Sequence, residues 1–170
     1  MKDNIFLFET AAQKKIIHRL IKDLNLSVDD YTIFDCSDHI LKFDNHTFII
    51  NFNKISLLFK SLHNLFKLKK IIDFKCKKFY STQFTGVNAL FWSSIFEAEN
   101  YILIDDGIGT PVIIIDNQIY DRLFRFRVRF YITSFLLKLF HNIKLLDVRS
   151  VINKINIYYS LYYKFFEDKQ

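Results

Sequence analysis

The sequence predicts an α/β fold in which helices connect the strands of a mainly parallel sheet. Its 170 residues suit one domain, and 51% of them are apolar, which is enough to bury a core. Short apolar runs alternate with longer segments of helical periodicity, a pattern that is typical of βαβ crossovers. Three glycines and one proline are too few for a collagen-like, low-complexity or turn-rich all-β chain.

The amino-terminal part of the chain predicts a strand, a helix and a second strand. Asn4–Glu9 and Tyr31–Cys36 are short apolar runs that predict strands. Between them, the segment from Thr10 to Leu24 predicts a helix because its apolar residues recur at helical spacing. These residues are Ile16, Ile17, Leu20, Ile21 and Leu24.

A hairpin and a long helix are predicted next. Leu41–Phe43 and Thr47–Phe52 flank a turn sequence and predict a hairpin at the sheet margin. Lys54–Ile72 predicts a helix with lysines on one side and an apolar face on the other. The residues expected on the apolar face are Ile55, Leu58, Phe59, Leu62, Leu65 and Phe66.

The middle of the chain continues the alternation of strands and helices. Lys77–Tyr80 predicts a weak strand, and Val87–Glu97 predicts a helix. Tyr101–Ile104 is a continuous apolar run of the kind that is buried in parallel sheets.

The last part of the chain predicts a second hairpin, a broken helix and a final strand. Pro111–Ile115 and Gln118–Tyr120 flank the hairpin turn. The segment 121–153 predicts mainly helix, broken near Lys144–Arg149, and Ile155–Tyr163 predicts a strand. We therefore expect a domain core in residues 1–120 and a basic, aromatic segment in residues 121–170.

The net charge of +6 is unevenly distributed. Residues 1–120 hold 14 basic and 14 acidic side chains, so the whole excess lies in residues 121–170. A one-sided basic patch indicates an anionic partner such as a membrane surface, a phosphate-bearing ligand or a nucleic acid. A solvated helical face that balances an acidic partner domain explains the patch equally well.

Cysteine and histidine usage predicts neither a disulfide framework nor a metal site. Cys36 and Cys76 are the only cysteines, and Cys36 with His39 forms an isolated Cys-x-x-His pair. The first apolar run ends at Glu9, which makes it too short for a signal peptide, and no segment is apolar enough to span a membrane. We expect a cytoplasmic protein whose membrane contact, if any, is peripheral at the inner face.

Candidate catalytic residues follow the predicted strand Tyr101–Ile104. Ligands of open parallel sheets bind outside the carboxyl ends of the strands, and here the strand runs directly into Asp105-Asp106-Gly107. One carboxylate can act as a general base with its pKa raised by the charge of the other, and Gly107 permits a tight turn. A solvated turn in which one aspartate caps the next element is the alternative.

Candidate sugar-binding residues follow two other predicted strands. Ser81, Thr82 and Gln83 offer hydroxyls and an amide that suit the hydroxyl groups of a sugar. Thr10 and Gln13 follow the first strand in the same way. Both segments also fit N-caps, and Thr10 with Gln13 fits a capping box.

Arginines alternate with apolar residues near the start of the basic segment. Arg122, Arg125, Arg127 and Arg129 precede the apolar run Phe130–Leu137. As a helix, this segment would place aromatics in a lipid headgroup layer and arginines on phosphates. The alternation also permits a short strand, and arginines with aromatics also suit single-stranded nucleic acid. We favour a membrane surface or domain interface and expect no nucleic-acid partner.

The chain resembles the amino-terminal half of bacterial sialyltransferases, a group that spans the lipooligosaccharide enzymes of glycosyltransferase family 52 and the capsular polysialyltransferases. The resemblance lies in Glu9-Thr10-Ala11-Ala12-Gln13 after the first strand, in Tyr80-Ser81-Thr82-Gln83, and above all in Asp105-Asp106-Gly107. The last of these matches the acidic-acidic-Gly motif of the group residue for residue. A basic helical segment followed by a strand like Ile155–Tyr163 also fits the layout of these enzymes.

The resemblance implies a single Rossmann-like domain that corresponds to the acceptor-side half of a GT-B glycosyltransferase. It implies metal-independent, inverting transfer of sialic acid from a CMP-activated donor, with Asp105 or Asp106 as the base. No other cofactor is implied, and the partners are a glycan acceptor with a separate donor domain or a second copy of the chain.

One departure from the group concerns the donor half. The second half of these enzymes carries a His-Pro motif, whereas the only proline here, Pro111, follows Thr110. We therefore expect the chain to be half of an enzyme and to be inactive alone. It would be a truncated product, a separately encoded subunit or a decayed copy. The alternative function is a non-catalytic α/β module that binds a membrane surface or a partner protein through its basic carboxyl-terminal segment.

Overall fold

A computed structural model describes residues 3–37, 40–43, 46–82, 86–104 and 124–159, with side chains from residue 127 onward in the last range. The described strands are β1 (Asn4–Phe8), β2 (Tyr31–Asp35), β3 (Ile40–Phe43), β4 (His46–Ile49), β5 (Lys75–Ser81), β6 (Glu97–Ile104) and β7 (Ile155–Tyr159). The described helices are α1 (Ala11–Asp23), α2 (Leu58–Leu68), α3 (Val87–Ile95), α4 (Phe124–His141) and α5 (Val148–Lys154), with a 3-10 turn at Ile55–Leu57.

The seven strands form one mostly parallel sheet in the order β4-β3-β2-β1-β5-β6-β7. β1 pairs in parallel with β2 on one side and with β5 on the other, and β5, β6 and β7 continue in parallel. Only the hairpin strands β3 and β4 introduce antiparallel pairs. The predicted α/β class with a mainly parallel sheet is confirmed.

The predicted hairpin is present at one margin of the sheet. Ile40 pairs with Ile49, and Phe43 pairs with His46. Because β3 is antiparallel to both β2 and β4, β4 runs in the same direction as β1, β2, β5 and β6. The segment after β4 therefore lies at the same edge of the sheet as the carboxyl ends of those strands, and we call this the carboxyl edge.

Two apolar layers cover the two faces of the sheet. Strand side chains that include Phe6 and Tyr80 pack with Ile17 and Ile21 of α1. The alternate strand residues, which point to the opposite face because the side-chain period of a strand is two, pack with α2, α3, α4 and α5. This second layer is rich in rings, and Phe79 and Phe96 stack at 4.6 Å between their centroids.

The predicted apolar face of α2 was partly wrong. Leu58, Leu62 and Leu65 are buried, but Phe59 is 71% exposed, and Ile55 and Phe66 are also exposed. The helix is also shorter than predicted, since it ends at Leu68 and the residues from Ile55 to Leu57 form a 3-10 turn. Helical spacing predicted that Phe59 and Phe66 share a face with the leucines, but only the leucine side of the helix packs towards the sheet.

Two other boundaries differ from the sequence predictions. Glu97 starts β6 and does not extend α3, and the polar part of β6 pairs with the first residues of β5, as Lys75 does with Glu97. The helical segment breaks between His141 and Val148, close to the predicted break. The predicted hairpin at 111–120 and the end of the last strand, 160–163, lie outside the described residues.

Within the described ranges, no helix combines the length and the apolar composition that crossing a bilayer requires.

Candidate functional site

The order of connections singles out one position along the carboxyl edge. From β1 the chain crosses to β2 on one side, and β5 joins β1 on the other side, so the direction of winding reverses between β1 and β5. Open α/β sheets bind ligands at such a reversal. Leu7 pairs with Ser81 here, which brings Glu9, just after β1, to the same edge as Thr82, just after β5.

Glu9 is the carboxylic acid at this reversal. Its side chain is largely buried, and burial raises its pKa from 4.5 to about 7. Its Oε1 atom is buried and has no hydrogen-bond partner among the described residues. A carboxyl group with such a pKa exchanges its proton near neutrality and can act as donor or acceptor.

Thr10 and Gln13 form the predicted capping box at the start of α1. Thr10 Oγ1 accepts a hydrogen bond from the Gln13 backbone N–H at 3.2 Å. Gln13 Oε1 accepts from the Thr10 N–H at 3.1 Å and from the Glu9 N–H at 2.8 Å. Gln13 is buried, and its amide therefore fixes the backbone that carries Glu9.

Ser81 and Thr82 lie on the β5 side of the reversal. Ser81 is the last residue of β5 and is buried. Thr82 is only 2% exposed, and its Oγ1 has no hydrogen-bond partner in the described part of the chain. A buried hydroxyl without a partner costs about 1–3 kcal/mol, a cost that a hydrogen bond to Thr82 Oγ1 would relieve.

Charged and thiol groups flank Glu9 on the β2 side. The Cys36 backbone N–H donates to the Phe8 carbonyl at 2.9 Å. The Cys36 thiol has a pKa raised well above its usual value by burial, and then by the nearby charges of Glu9 and Asp35. Asp35 pairs with Lys14 at 3.8 Å, so a cation also lies at this end of the sheet.

Asparagines join the segment after β4 to the start of α3. Asn53 Oδ1 accepts from the Asn88 backbone N–H at 3.3 Å, and Asn88 Oδ1 accepts from the Phe52 N–H at 2.6 Å. Asn51 is fully buried, and its Nδ2 lacks a partner among the described atoms. Neither this cluster nor the raised pKa of Glu9 was predicted from the sequence, although the spacing of Asn51 and Asn53 after an apolar strand is a usable signal.

The strongest catalytic prediction lies outside the described residues. Asp105, Asp106 and Gly107 are not described, and neither is Gln83. β6 nevertheless ends at Ile104 in parallel register with β5, where Leu103 pairs with Ser81. The chain therefore enters the Asp105-Asp106-Gly107 segment from the carboxyl edge.

The described arginine side chains of the predicted set, Arg127 and Arg129, lie on α4. Arg127 is exposed and Arg129 is half-buried on α4, whereas Arg122 and the side chain of Arg125 lie outside the described set. In the ranges that the structure describes, no group of three His, Cys, Asp or Glu side chains is placed to hold a metal ion.

Two side chains at the carboxyl edge therefore offer two different chemical properties. Glu9 offers an exchangeable proton near neutral pH, and Thr82 offers an unpartnered hydroxyl. Comparison of the chain with protein-family models, with curated proteins and with solved structures found no match.

Proposed function

We propose that the chain supplies the acceptor-side domain of a sialyltransferase-like glycosyltransferase for bacterial surface glycans, in the manner of the GT-B enzymes that it resembles. The observation that carries the proposal is the pair of buried, unpartnered oxygens, Glu9 Oε1 and Thr82 Oγ1, at the winding reversal of the sheet. A sugar hydroxyl both donates and accepts hydrogen bonds, so it is a chemically suitable partner for a carboxyl oxygen and for a threonine hydroxyl.

The proposed reaction transfers sialic acid from a CMP-activated donor without a metal ion. The acceptor oxygen attacks the anomeric carbon, the bond to CMP breaks, and the configuration inverts. Asp105 or Asp106 takes the proton of the acceptor hydroxyl. Both aspartates come directly after Ile104, where β6 reaches the carboxyl edge.

Glu9 and Thr82 bind and orient the acceptor in this proposal. Gln13 holds the backbone of Glu9, and Thr10 completes the cap. The donor nucleotide binds to a separate domain or to another chain, in keeping with the lack of a His-Pro pair in the sequence.

Binding of the acceptor is the first test. A lipooligosaccharide-derived oligosaccharide and oligosialic acid are titrated into the chain and followed by saturation-transfer NMR. Thr82→Val removes the hydroxyl with little change in shape, and we expect an affinity loss of about tenfold, corresponding to one lost hydrogen bond. Thr32→Val on β2 is the matched control, since Thr32 lies within a strand and away from the reversal.

Transfer is the second test. The chain is assayed with CMP-sialic acid alone and together with any protein from an adjacent reading frame that carries a His-Pro domain. Activity is expected only in the combined assay, and it should be lost in an Asp105→Ala/Asp106→Ala variant. Transfer that survives this double substitution, or glycan affinity that is unchanged by Thr82→Val, would refute the proposal.

A further inference from the structure

α4 presents apolar side chains on two opposite sides. Leu137 of α4 and Val151 of the neighbouring α5 are buried in the apolar layer that covers the sheet. On the other side of α4, large apolar residues are exposed at helical spacing: Val128, Tyr131, Ile132, Phe135 and Leu139. Large apolar residues that are exposed next to one another mark an interaction surface, so the outer side of α4 is expected to have a partner.

α2 lies next to α4 and carries a similar exposed stripe. His141 Nε2 lies 3.0 Å from the Leu62 carbonyl oxygen, and the rings of Phe66 and His141 are 4.1 Å apart between centroids. Ile55, Phe59 and Phe66 are exposed. We call the exposed apolar residues of α2, its preceding 3-10 turn and α4 the outer apolar surface.

The charges that accompany this surface have one sign. The sequence holds no carboxylate between Asp44 and Asp73, and none between Asp121 and Asp147. The helices α2 and α4 and the 3-10 turn before α2 carry lysines and arginines, of which those exposed in the structure are Lys54 just before the turn, Lys60, Lys67, Arg127 and Lys138. Exposed aromatics among basic residues and without acidic ones match the composition of helices that lie in an anionic lipid interface.

We propose that the outer apolar surface binds an anionic lipid bilayer, with α4 lying in the interface. Phe135 and Tyr131 enter the boundary between headgroups and acyl chains, and the lysines and arginines contact lipid phosphates. The surface extends onto α2 and so is larger than the arginine-rich segment 122–137 that was predicted from the sequence.

A second copy of the chain is a poorer occupant of the same surface. An isologous contact would bring the surface against itself, so lysines and arginines would face lysines and arginines with no carboxylate between them. An anionic bilayer offers apolar chains and negative phosphates together. The charge pattern therefore favours lipid.

Vesicle flotation tests the proposal with the intact chain. Vesicles of phosphatidylcholine alone are compared with vesicles that also contain phosphatidylglycerol. We expect at least about tenfold stronger binding to the anionic vesicles at about 0.1 M salt, and loss of most of that difference at about 1 M salt. Phe135→Ser/Tyr131→Ser should lower the binding to anionic vesicles by about tenfold or more, because two apolar side chains that the bilayer would bury are lost.

Two charge-reversal variants with the same net charge provide the matched control. Lys60→Glu/Lys67→Glu alters exposed lysines of α2, whereas Lys15→Glu/Lys22→Glu alters exposed lysines of α1 on the other face of the sheet. The α2 variant should lose at least about tenfold of the affinity for anionic vesicles, and the α1 variant should lose much less. Equal losses would show that only net charge matters and would overturn the proposal.

Insertion is tested separately from adsorption. In a Phe135→Trp variant, brominated lipids should quench the new indole, while Trp92, which is fully buried in the core, should stay unquenched in the parent chain. Absence of quenching in the variant, or a dimer that Phe135→Ser dissociates in lipid-free solution, would contradict lipid binding. These readouts involve neither Thr82 nor Asp105, so their failure is distinct from failure of the proposed glycan site.

Discussion

Glu9 shows how the environment of one residue couples the site to stability. Burial raises its pKa from 4.5 to about 7, so across that window the folded state holds a proton that the unfolded chain has released. Because the folded state then binds more protons, the free energy of unfolding should fall as the pH rises through this window and level off above it. The total effect is at most about 3 kcal/mol.

The measurement is urea unfolding of the parent chain and of Glu9→Gln from about pH 4 to about pH 9. The variant should show a shallower decline because it has no proton to release at this position. Glu99→Gln, an exposed change on β6, is the control and should keep the parental slope. A Glu9→Gln profile that runs parallel to the parental one would contradict the assignment.

The two cysteines should be nearly inert in the folded chain. Burial, with the nearby charges of Asp73 and Glu99, raises the pKa of Cys76 to about 12, and Cys36 is shifted upward as well. Since the thiolate is the nucleophile, we expect alkylation by iodoacetamide near pH 8 to be at least about a hundredfold slower in the folded than in the unfolded chain. Mass spectrometry of Cys36→Ser and Cys76→Ser separates the two sites, and rapid labelling of either folded variant would disprove the expectation.

At the site, the residue types could be predicted from the sequence, but their pKa values and their hydrogen-bond partners could not. Thr10 and Gln13 lie three positions apart at a helix start, so their capping box depends on local spacing alone and was foreseen. The pKa of Glu9 depends on burial by segments distant in sequence, and no local pattern reports it. The unpartnered state of the Thr82 hydroxyl is likewise a property of the folded sheet.

Among the elements, the start of α3 depends on the backbone of one glycine. Gly86 caps α3 with φ of 87° and ψ of 152°, a conformation that is essentially restricted to glycine. A Cβ added there would lie 3.5 Å from Asn53 Oδ1, an ordinary contact. Gly86→Ala should therefore destabilise the fold by about 1–3 kcal/mol through backbone strain and not through a clash.

A double-variant cycle checks this cause by denaturant unfolding. Asn53→Ala removes the side chain nearest to the new methyl group, so the cost of Gly86→Ala should be the same with and without it. A cost that disappears in the Asn53→Ala background would instead identify the contact as the source.

Element types followed from local periodicity, whereas their exposed faces and ends did not. β1 and β2 were predicted because their runs are apolar in themselves. The first residues of β6 alternate in charge and pair only because β5 lies beside them, so the sequence assigned Glu97 to the preceding helix. Which part of the broad apolar stripe of α2 is buried depends on the sheet and α4, and this explains the misplaced Phe59 and Phe66.

At the scale of the whole molecule, phenylalanine serves two different purposes. Phe96 is fully buried and contacts rings contributed by several parts of the chain: Phe34, Phe74, Phe79 and Trp92. Phe59 has the same side chain and is 71% exposed. The first position joins α3 to the strands, and the second contributes to the outer apolar surface.

Alanine substitution should separate these purposes. Phe96→Ala leaves a large cavity in the centre of the ring cluster and should cost about 3–5 kcal/mol of unfolding free energy. Phe59→Ala removes a mostly solvated ring and should change that free energy by no more than about 0.5 kcal/mol. Denaturant unfolding measures both, and vesicle flotation of the same two proteins completes the comparison. If Phe59→Ala leaves the unfolding free energy unchanged but weakens binding to anionic vesicles, the Phe59 ring serves contact with lipid. A large loss of stability would instead show that Phe59 contributes to the packing of the fold.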